Sequence, residues 1–215
     1  MKEKQDMKKR NIIRGFLVLV MVVMTGFFIN LEITKADEKN TENYHLIPWD
    51  DGQSGTYWMD GYLYWIDMKK KKISRYSDEE MTKEEVLVEA DKGTCIGECG
   101  LLYDDIIYYV LIDNKTHAGN LYSYNLKSRE SNKLGAAREL QRLEVLVDGK
   151  IYGCGYTKTG NPEVFLYDLK GKKLKQICKN GYFGQIVGKY IAIQTISSSG
   201  KSGMTLYRKS DGQKI

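Results

Sequence analysis

Asp60-Gly61-Tyr62-Leu63-Tyr64-Trp65 decides the fold, because three further stretches of this chain repeat its form. They are Asp104-Asp105-Ile106-Ile107-Tyr108-Tyr109, Asp148-Gly149-Lys150-Ile151-Tyr152 and Val187-Gly188-Lys189-Tyr190-Ile191-Ala192. Each opens on a turn pair and runs into an apolar strand. Glycine accepts positive φ and aspartate hydrogen-bonds the nearby backbone, so Asp-Gly is a strong hairpin signal. The second residues of the four turn pairs lie 44, 44 and 39 residues apart.

A second strand follows each of these: Ile73-Ser74-Arg75-Tyr76, Leu121-Tyr122-Ser123-Tyr124, Val164-Phe165-Leu166-Tyr167 and Met204-Thr205-Leu206-Tyr207. A third, weaker strand closes most units, as at Val86-Leu87-Val88 and Lys175-Gln176-Ile177-Cys178. A lone hairpin cannot bury its apolar face, so such units must stack. A period near 40–45 residues with four strands per unit is the pattern of propeller blades. The spacing predicts an all-β, propeller-like domain over residues 55–215, of about four blades with four antiparallel strands each. The rival is a β-sandwich or barrel whose hairpins are alike by accident.

The composition fits. The chain is 215 residues long, 42% hydrophobic and 28% charged, with 16 Tyr, 21 Gly and two Pro. That is globular material rich in strand and turn formers. The net charge is +5, of which residues 1–36 carry +4, leaving +1 for the remainder. A nearly neutral domain has no strong field to draw polyanions, so no nucleic-acid partner is expected.

The basic excess belongs to targeting. Lys8-Lys9-Arg10 and Arg14 precede 15 uncharged residues from Gly15 to Ile29. At about 1.5 Å per residue a helix of that length falls short of a bilayer core of about 30 Å. A basic segment before a short apolar one marks a secretory signal, and Thr34-Lys35-Ala36 suits cleavage after Ala36. The rivals are an uncleaved N-terminal anchor, with Asn30 and Leu31 extending the hydrophobic helix, and a buried soluble helix. Either of the first two places residues 37–215 outside the cytoplasm, secreted or anchored, with membrane contact only through the N-terminal segment.

Blade one carries Tyr57-Trp58-Met59-Asp60 and Tyr64-Trp65-Ile66-Asp67, with Ile73-Ser74-Arg75 beyond. This resembles the YWTD blade of low-density-lipoprotein-receptor-type propellers, and the bacterial exported domain of unknown function named for that likeness. The resemblance spans roughly residues 55–215, although Tyr108-Tyr109-Val110-Leu111 and Tyr152-Gly153-Cys154-Gly155 depart from the motif. It implies a binding scaffold without assigned chemistry. Such a ring would have six blades, and this chain has room for four. Residues 44–49 (YHLIPW) are expected to supply a missing outer strand to blade four within a linker over 37–54, and Pro48 is tolerable on an edge. The alternative is a partial propeller.

Candidate chemistry is sparse. His45 and His117 show no ligand spacing, so neither a metal nor another cofactor is expected. No paired acids, no G-x-S-x-G elbow and no phosphate-cradling loop occur, so no catalytic residue is assigned. Export permits disulfides, and Cys95 and Cys99 are close enough to bridge a loop; buried thiols are the alternative. Cys154 and Cys178 fall on strands separated by a third, beyond bridging distance. Four lysines at residues 69–72 read either as a solvated hairpin tip or as a contact for anionic polymer or lipid head groups.

The residues singled out for ligand binding are Tyr57, Trp58 and Trp65 in an aromatic cluster with Tyr62 and Tyr64, and Asp113 and His117 in a loop over 113–119. Alternation should turn about half of the cluster toward the core. Loops at 113–119 and 157–161 are candidate binding surfaces, because rigid scaffolds place binding on their loops. Three functions remain: an extracytoplasmic module binding a protein or carbohydrate at the cell surface, a hydrolase or lyase of cell-wall or matrix polysaccharide, and a membrane-tethered sensor. Convergent carboxylates near the axis would favour the enzyme.

Overall fold

A computed structural model describes residues 44–47, 58–69, 71–78, 80–157, 159–197 and 199–215. The expected N-terminal helix, its cleavage site, most of the linker and Tyr57 lie outside the described residues. The rest is 17 strands in four antiparallel sheets.

Strand β1 (Tyr44–Ile47) comes first. Blade one is β2 (Trp58–Met59), β3 (Tyr62–Asp67), β4 (Lys72–Tyr76) and β5 (Glu84–Glu89), paired in that order. Blade two is β6 (Thr94–Ile96), β7 (Gly100–Tyr103), β8 (Ile106–Asp113), β9 (Gly119–Asn125) and β10 (Glu130–Ala136). Both β6 and β7 pair with β8, so its inner strand is one strand broken by a kink at residues 97–99. Blade three is β11 (Leu140–Val147), β12 (Lys150–Tyr156), β13 (Pro162–Asp168) and β14 (Lys173–Lys179). Blade four is β15 (Gly181–Val187), β16 (Tyr190–Ile196) and β17 (Ser202–Arg208), with Lys214 bridged to Tyr207 where a fourth strand would start.

The turn pairs behave as their residues dictate. Asp60-Gly61 and Asp148-Gly149 have positive φ at both positions, the geometry that matches the twist of hairpin strands. Asp104-Asp105 adopts the same conformation without glycine, which aspartate tolerates better than most residues.

The blades are joined by three hydrophobic cores. Tyr64, Ile66 and Ile73 of blade one meet Ile96, Ile107 and Tyr109 of blade two. Leu101, Tyr108 and Val110 of blade two meet Leu140, Leu143 and Phe165 of blade three. Val145, Tyr152 and Val164 of blade three meet Ile191, Ile193 and Tyr207 of blade four. Among the described residues no comparable core joins blade four to blade one. The middle blades therefore bury both faces: in β8, Ile107 and Tyr109 point one way and Tyr108 and Val110 the other. The sequence was expected to bury one face per strand. Blades two and three bury two, which is why Ile106-Ile107-Tyr108-Tyr109-Val110 is continuously apolar.

Buried tyrosines need partners for their hydroxyls. Tyr109 is 3.2 Å from Ser131 Oγ, Tyr152 donates to the Lys209 carbonyl at 2.8 Å, and Tyr167 donates to Glu139 Oε2 at 3.1 Å.

The closing-strand expectation is corrected. β1 pairs with β7, Tyr44 opposite Tyr103 and Ile47 opposite Gly100, and so adds an inner strand to blade two. Its alternation explains the placement: Ile47 enters the core between blades one and two, and Tyr44 and Leu46 pack on the core between blades two and three. A strand with apolar residues on both sides buries more beside two cores than on an outer edge.

Candidate functional site

A cleft of about 550 Å³ opens between blades one and two. Three turns form its rim, contributing Asp60 from β2–β3, Asp104 and Asp105 from β7–β8, and Lys127 from β9–β10. Tyr62 and Tyr64 line it from β3, Arg75 from β4 and His45 from β1. Tyr62 and Tyr64, two residues apart, share a face of β3, with rings edge to face at 6.5 Å. Arg75 stands over the Tyr62 ring, 4.1 Å from its centre, and its Nε donates to Glu85 Oε2 at 2.7 Å. Lys127 Nζ is 2.5 Å from Asp105 Oδ2.

The electrostatics follow from these contacts. Burial pushes the Tyr64 phenol up, against the Arg75 guanidinium, which favours the phenolate. Asp105 holds Lys127 protonated by a hydrogen bond. The wall is thus a guanidinium laid on an aromatic ring, and the rim carries three carboxylates, one of them matched by a lysine. Such a surface can stack a planar or ring-shaped group and hydrogen-bond its polar edge.

A second polar cluster lies on blade three. Arg142 Nε is 2.5 Å from Glu144 Oε1, and Arg142 Nη1 is 3.5 Å from Glu98 Oε2 in the blade-two kink. Burial raises the Glu144 pKa, and Arg142 opposes it. Burial pushes the Cys154 thiol up, with Glu144 adding to it. This is a half-buried ion pair with a buried thiol beside it.

The structure separates the residues picked from sequence. Trp58 is in β2, and its side chain lies outside the described set. Trp65 pairs with Ser74 and faces away from the cleft that takes Tyr64. Asp113 and His117 are at the far end of β8, eight residues from the Asp105 turn, or roughly 25 Å away at the usual strand rise. There Asp113 Oδ1 accepts from the amides of Lys115 and Thr116, which lowers its pKa, and the His117 amide donates to the Asp113 carbonyl at 2.8 Å. They build a hairpin together and do not join the aromatic wall. The loop over 157–161 is closed in the same way by Thr157 and Thr159. Lys72 is paired with Glu84, so one of the four lysines is already engaged. All four cysteines are thiols, and the bridge between Cys95 and Cys99 is not formed. β13 separates Cys154 from Cys178, both opposite Val164. Among the described residues no group of acids, histidines and cysteines is arranged to hold a metal.

Sequence reading missed Asp60, Asp104, Asp105, Lys127 and Arg75 as site residues. The aspartates were visible as turn formers, and nothing in one blade shows which turn of the next will stand beside it.

No family model matches the chain, and no curated protein matches it. Solved structures do. A prolyl endopeptidase matches with a TM-score of 0.51 at 11% identity, covering 74% of this chain and 26% of its own. TolB from Acinetobacter baumannii matches with a TM-score of 0.50 at 13% identity, covering 80% of this chain and 43% of its own. A chain of the nidogen/laminin complex matches with a TM-score of 0.46 at 10% identity, covering 72% and 58%. The chain thus spans between about a quarter and three fifths of the length of these proteins. What the first two share with it at such identities is the fold, which here is all-β and propeller-like.

Proposed function

We propose that this chain is an exported, YWTD-like binding module, secreted or membrane-anchored, and that its protein or carbohydrate ligand at the cell surface seats in the cleft between blades one and two. The observation that carries the reading is the wall of that cleft: Tyr62 and Tyr64 edge to face, their ring planes 61° apart, with Arg75 laid on Tyr62. Aromatic faces beside a few fixed polar groups are what small ligand sites are made of. The basic segment and apolar run before Ala36 support export, and the paired Tyr-Trp motifs around Asp60 support the family likeness.

Calorimetric titration of the exported protein with peptidoglycan fragments, wall glycans and cell-surface peptides tests this. Tyr62→Ser and Lys127→Ala should each weaken the ligand found by tenfold or more, and Thr159→Ala at the opposite end should leave it unchanged. Equal binding by all three variants would end the proposal. Sequencing the N-terminus of the exported form distinguishes cleavage after Ala36 from an anchor.

Three aspartates on one rim also favour a second reading, a polysaccharide hydrolase or lyase using Asp60 and Asp104. Release of reducing ends or unsaturated sugars that vanishes in Asp60→Asn and Asp104→Asn would establish it.

A further inference from the structure

Charge in the cleft between blades one and two is unbalanced toward acid. Its lining holds three carboxylates, Asp60, Asp104 and Asp105, and two cations, Arg75 and Lys127. Both cations are already matched. Glu85 Oε2 lies 2.7 Å from Arg75 Nε, and Asp105 Oδ2 lies 2.5 Å from Lys127 Nζ. Among the described residues, the carboxylates of Asp60 and Asp104 take part in no ion pair and no hydrogen bond. An anion entering the cleft would meet cations that have their counter-charges, whereas a cation would meet two carboxylates that lack one.

The wall narrows the choice between a protein and a carbohydrate. One face of Tyr62 lies under Arg75, 4.1 Å from the ring centre, and Tyr64 is 4% exposed. A sugar ring therefore finds at most one open tyrosine face. The methylene stem of a lysine or arginine packs against that face and against Met59, Leu102 and Leu126, which also line the cleft, and keeps its charged head at the rim.

On the reading that this cleft is the ligand site, we propose that its ligand is a basic segment of a protein partner: the ammonium or guanidinium of a lysine or arginine meets Asp60 and Asp104, and a carbonyl of the same segment accepts from Lys127. Two unmatched carboxylates on one rim attract a cation jointly. Lys127 Nζ has three donors and Asp105 engages one, so donors remain for the carbonyl. A free amine brings the charge without the carbonyl. The cleft, at about 550 Å³, has the size of a small-ligand pocket and room for backbone beside the side chain. The attraction is local to the rim, because residues 37–215 carry a net +1 and exert no general pull on polycations.

Calorimetric titration of the exported protein with tetralysine, its Nε-acetylated form, cadaverine and chitotetraose tests this. Tetralysine is expected to bind tenfold or more tighter than each of the others, and to weaken as salt rises. Asp60→Asn combined with Asp104→Asn should weaken it by tenfold or more. Both positions have positive φ, +50° and +46°, which asparagine accepts in a hairpin turn, so the double variant keeps its fold. Thr159→Ala should bind as wild type does. Tetralysine that does not bind, that binds the double variant unchanged, or that binds no better than cadaverine would overturn the proposal. Chitotetraose binding that is lost in Tyr62→Ser and kept in the double variant would overturn the basic ligand and leave the cleft as the site. Tetralysine held equally by wild type, Tyr62→Ser and the double variant would overturn both.

Discussion

The Arg75 guanidinium carbon stands 4.1 Å from the centre of the Tyr62 ring, on the side of blade one that faces blade two. Glu85 holds the other side of the same guanidinium, 2.7 Å from Nε, and is itself 2.9 Å from Arg129 Nη2 of blade two. Arg75 thus joins the cleft wall to an ion-pair chain that crosses the blade boundary. Cation–π contacts at partly exposed sites contribute about 0.5–1 kcal/mol, and an exposed ion pair rather less. Arg75→Gln is expected to lower stability by about 1–2 kcal/mol in urea unfolding and to loosen Tyr62. Arg75→Lys should recover part of the loss, because lysine keeps the charge and lacks the planar stack. A denaturation midpoint unchanged in Arg75→Gln would show that the contact does no structural work.

Glycines 155 and 149 separate two reasons for choosing glycine. A side-chain carbon at Gly155 would fall 1.5 Å from the Glu139 carbonyl oxygen, inside its atomic radius, so backbone would have to move. At Gly149 nothing lies within 4 Å, but φ is +66°. Gly155→Ala is therefore expected to cost about 3 kcal/mol or more, as overpacking against backbone does. Gly149→Ala should cost about 1 kcal/mol, the strain of a left-handed alanine. Thermal unfolding of the two variants ranks them, and equal losses would contradict the close approach at Gly155.

The same two residues show what a single sequence can reveal. Gly149 sits in a turn whose neighbours Asp148 and Lys150-Ile151-Tyr152 announce a hairpin, so local chemistry fixed its conformation and, repeated four times, the blades. Gly155 is required by a carbonyl from the loop between blades two and three, which no local pattern signals. The cleft was hidden for the same reason: Asp60 and Lys127 are 67 positions apart and meet only once two blades stack. β1 was misplaced because Leu46 and Ile47 declare that they need burial, without declaring between which blades.

Glu84 supplies an acid-side test. The Lys72 ammonium, hydrogen-bonded to it, holds its carboxyl at about 2, with the Tyr76 hydroxyl donating at 2.9 Å as well. Burial, and then Glu84, pushes the Tyr76 phenol up to about 12. An unfolded glutamate titrates near 4.3, so the folded state binds fewer protons between these values. Glu84 therefore stabilises the fold fully above about pH 4.5, and the contribution is lost as pH falls through about 2. Screening at a side chain 30% exposed reduces it to roughly 1 kcal/mol. Glu84→Gln should lose about that much at pH 6 and nothing at pH 2, measured by urea unfolding at both. A constant difference across the range would exclude the ionic origin.

Thiol reactivity should follow burial. Cys99, Cys154 and Cys178 are buried, Cys95 is partly exposed, and burial holds the Cys154 thiol protonated. A thiolate is the reacting species, so a native protein should alkylate first at Cys95 and last at Cys154. Four equivalents should react in guanidinium without reductant. Two equivalents there would instead reveal a disulfide bridge.

The deepest test lies in blade three, where Arg142 separates Glu98 from Glu144. Burial raises the Glu144 pKa even with Arg142 beside it, so removing the cation leaves a largely desolvated carboxylate with no counter-charge. Arg142→Met is expected to cost about 3 kcal/mol at pH 7. The sign with pH is opposite to that of Glu84. In the variant Glu144 holds its proton above the unfolded value near 4.3, so stability falls as pH rises from there to the folded pKa. The loss should accordingly shrink at pH 4, where Glu144 is already neutral in both states. Arg142→Met with Glu144→Gln should recover most of the pH 7 loss, since no buried charge remains. A single variant equally destabilised at pH 4 and pH 7 would mean that Arg142 matters for the packing of its alkyl chain and not for its charge.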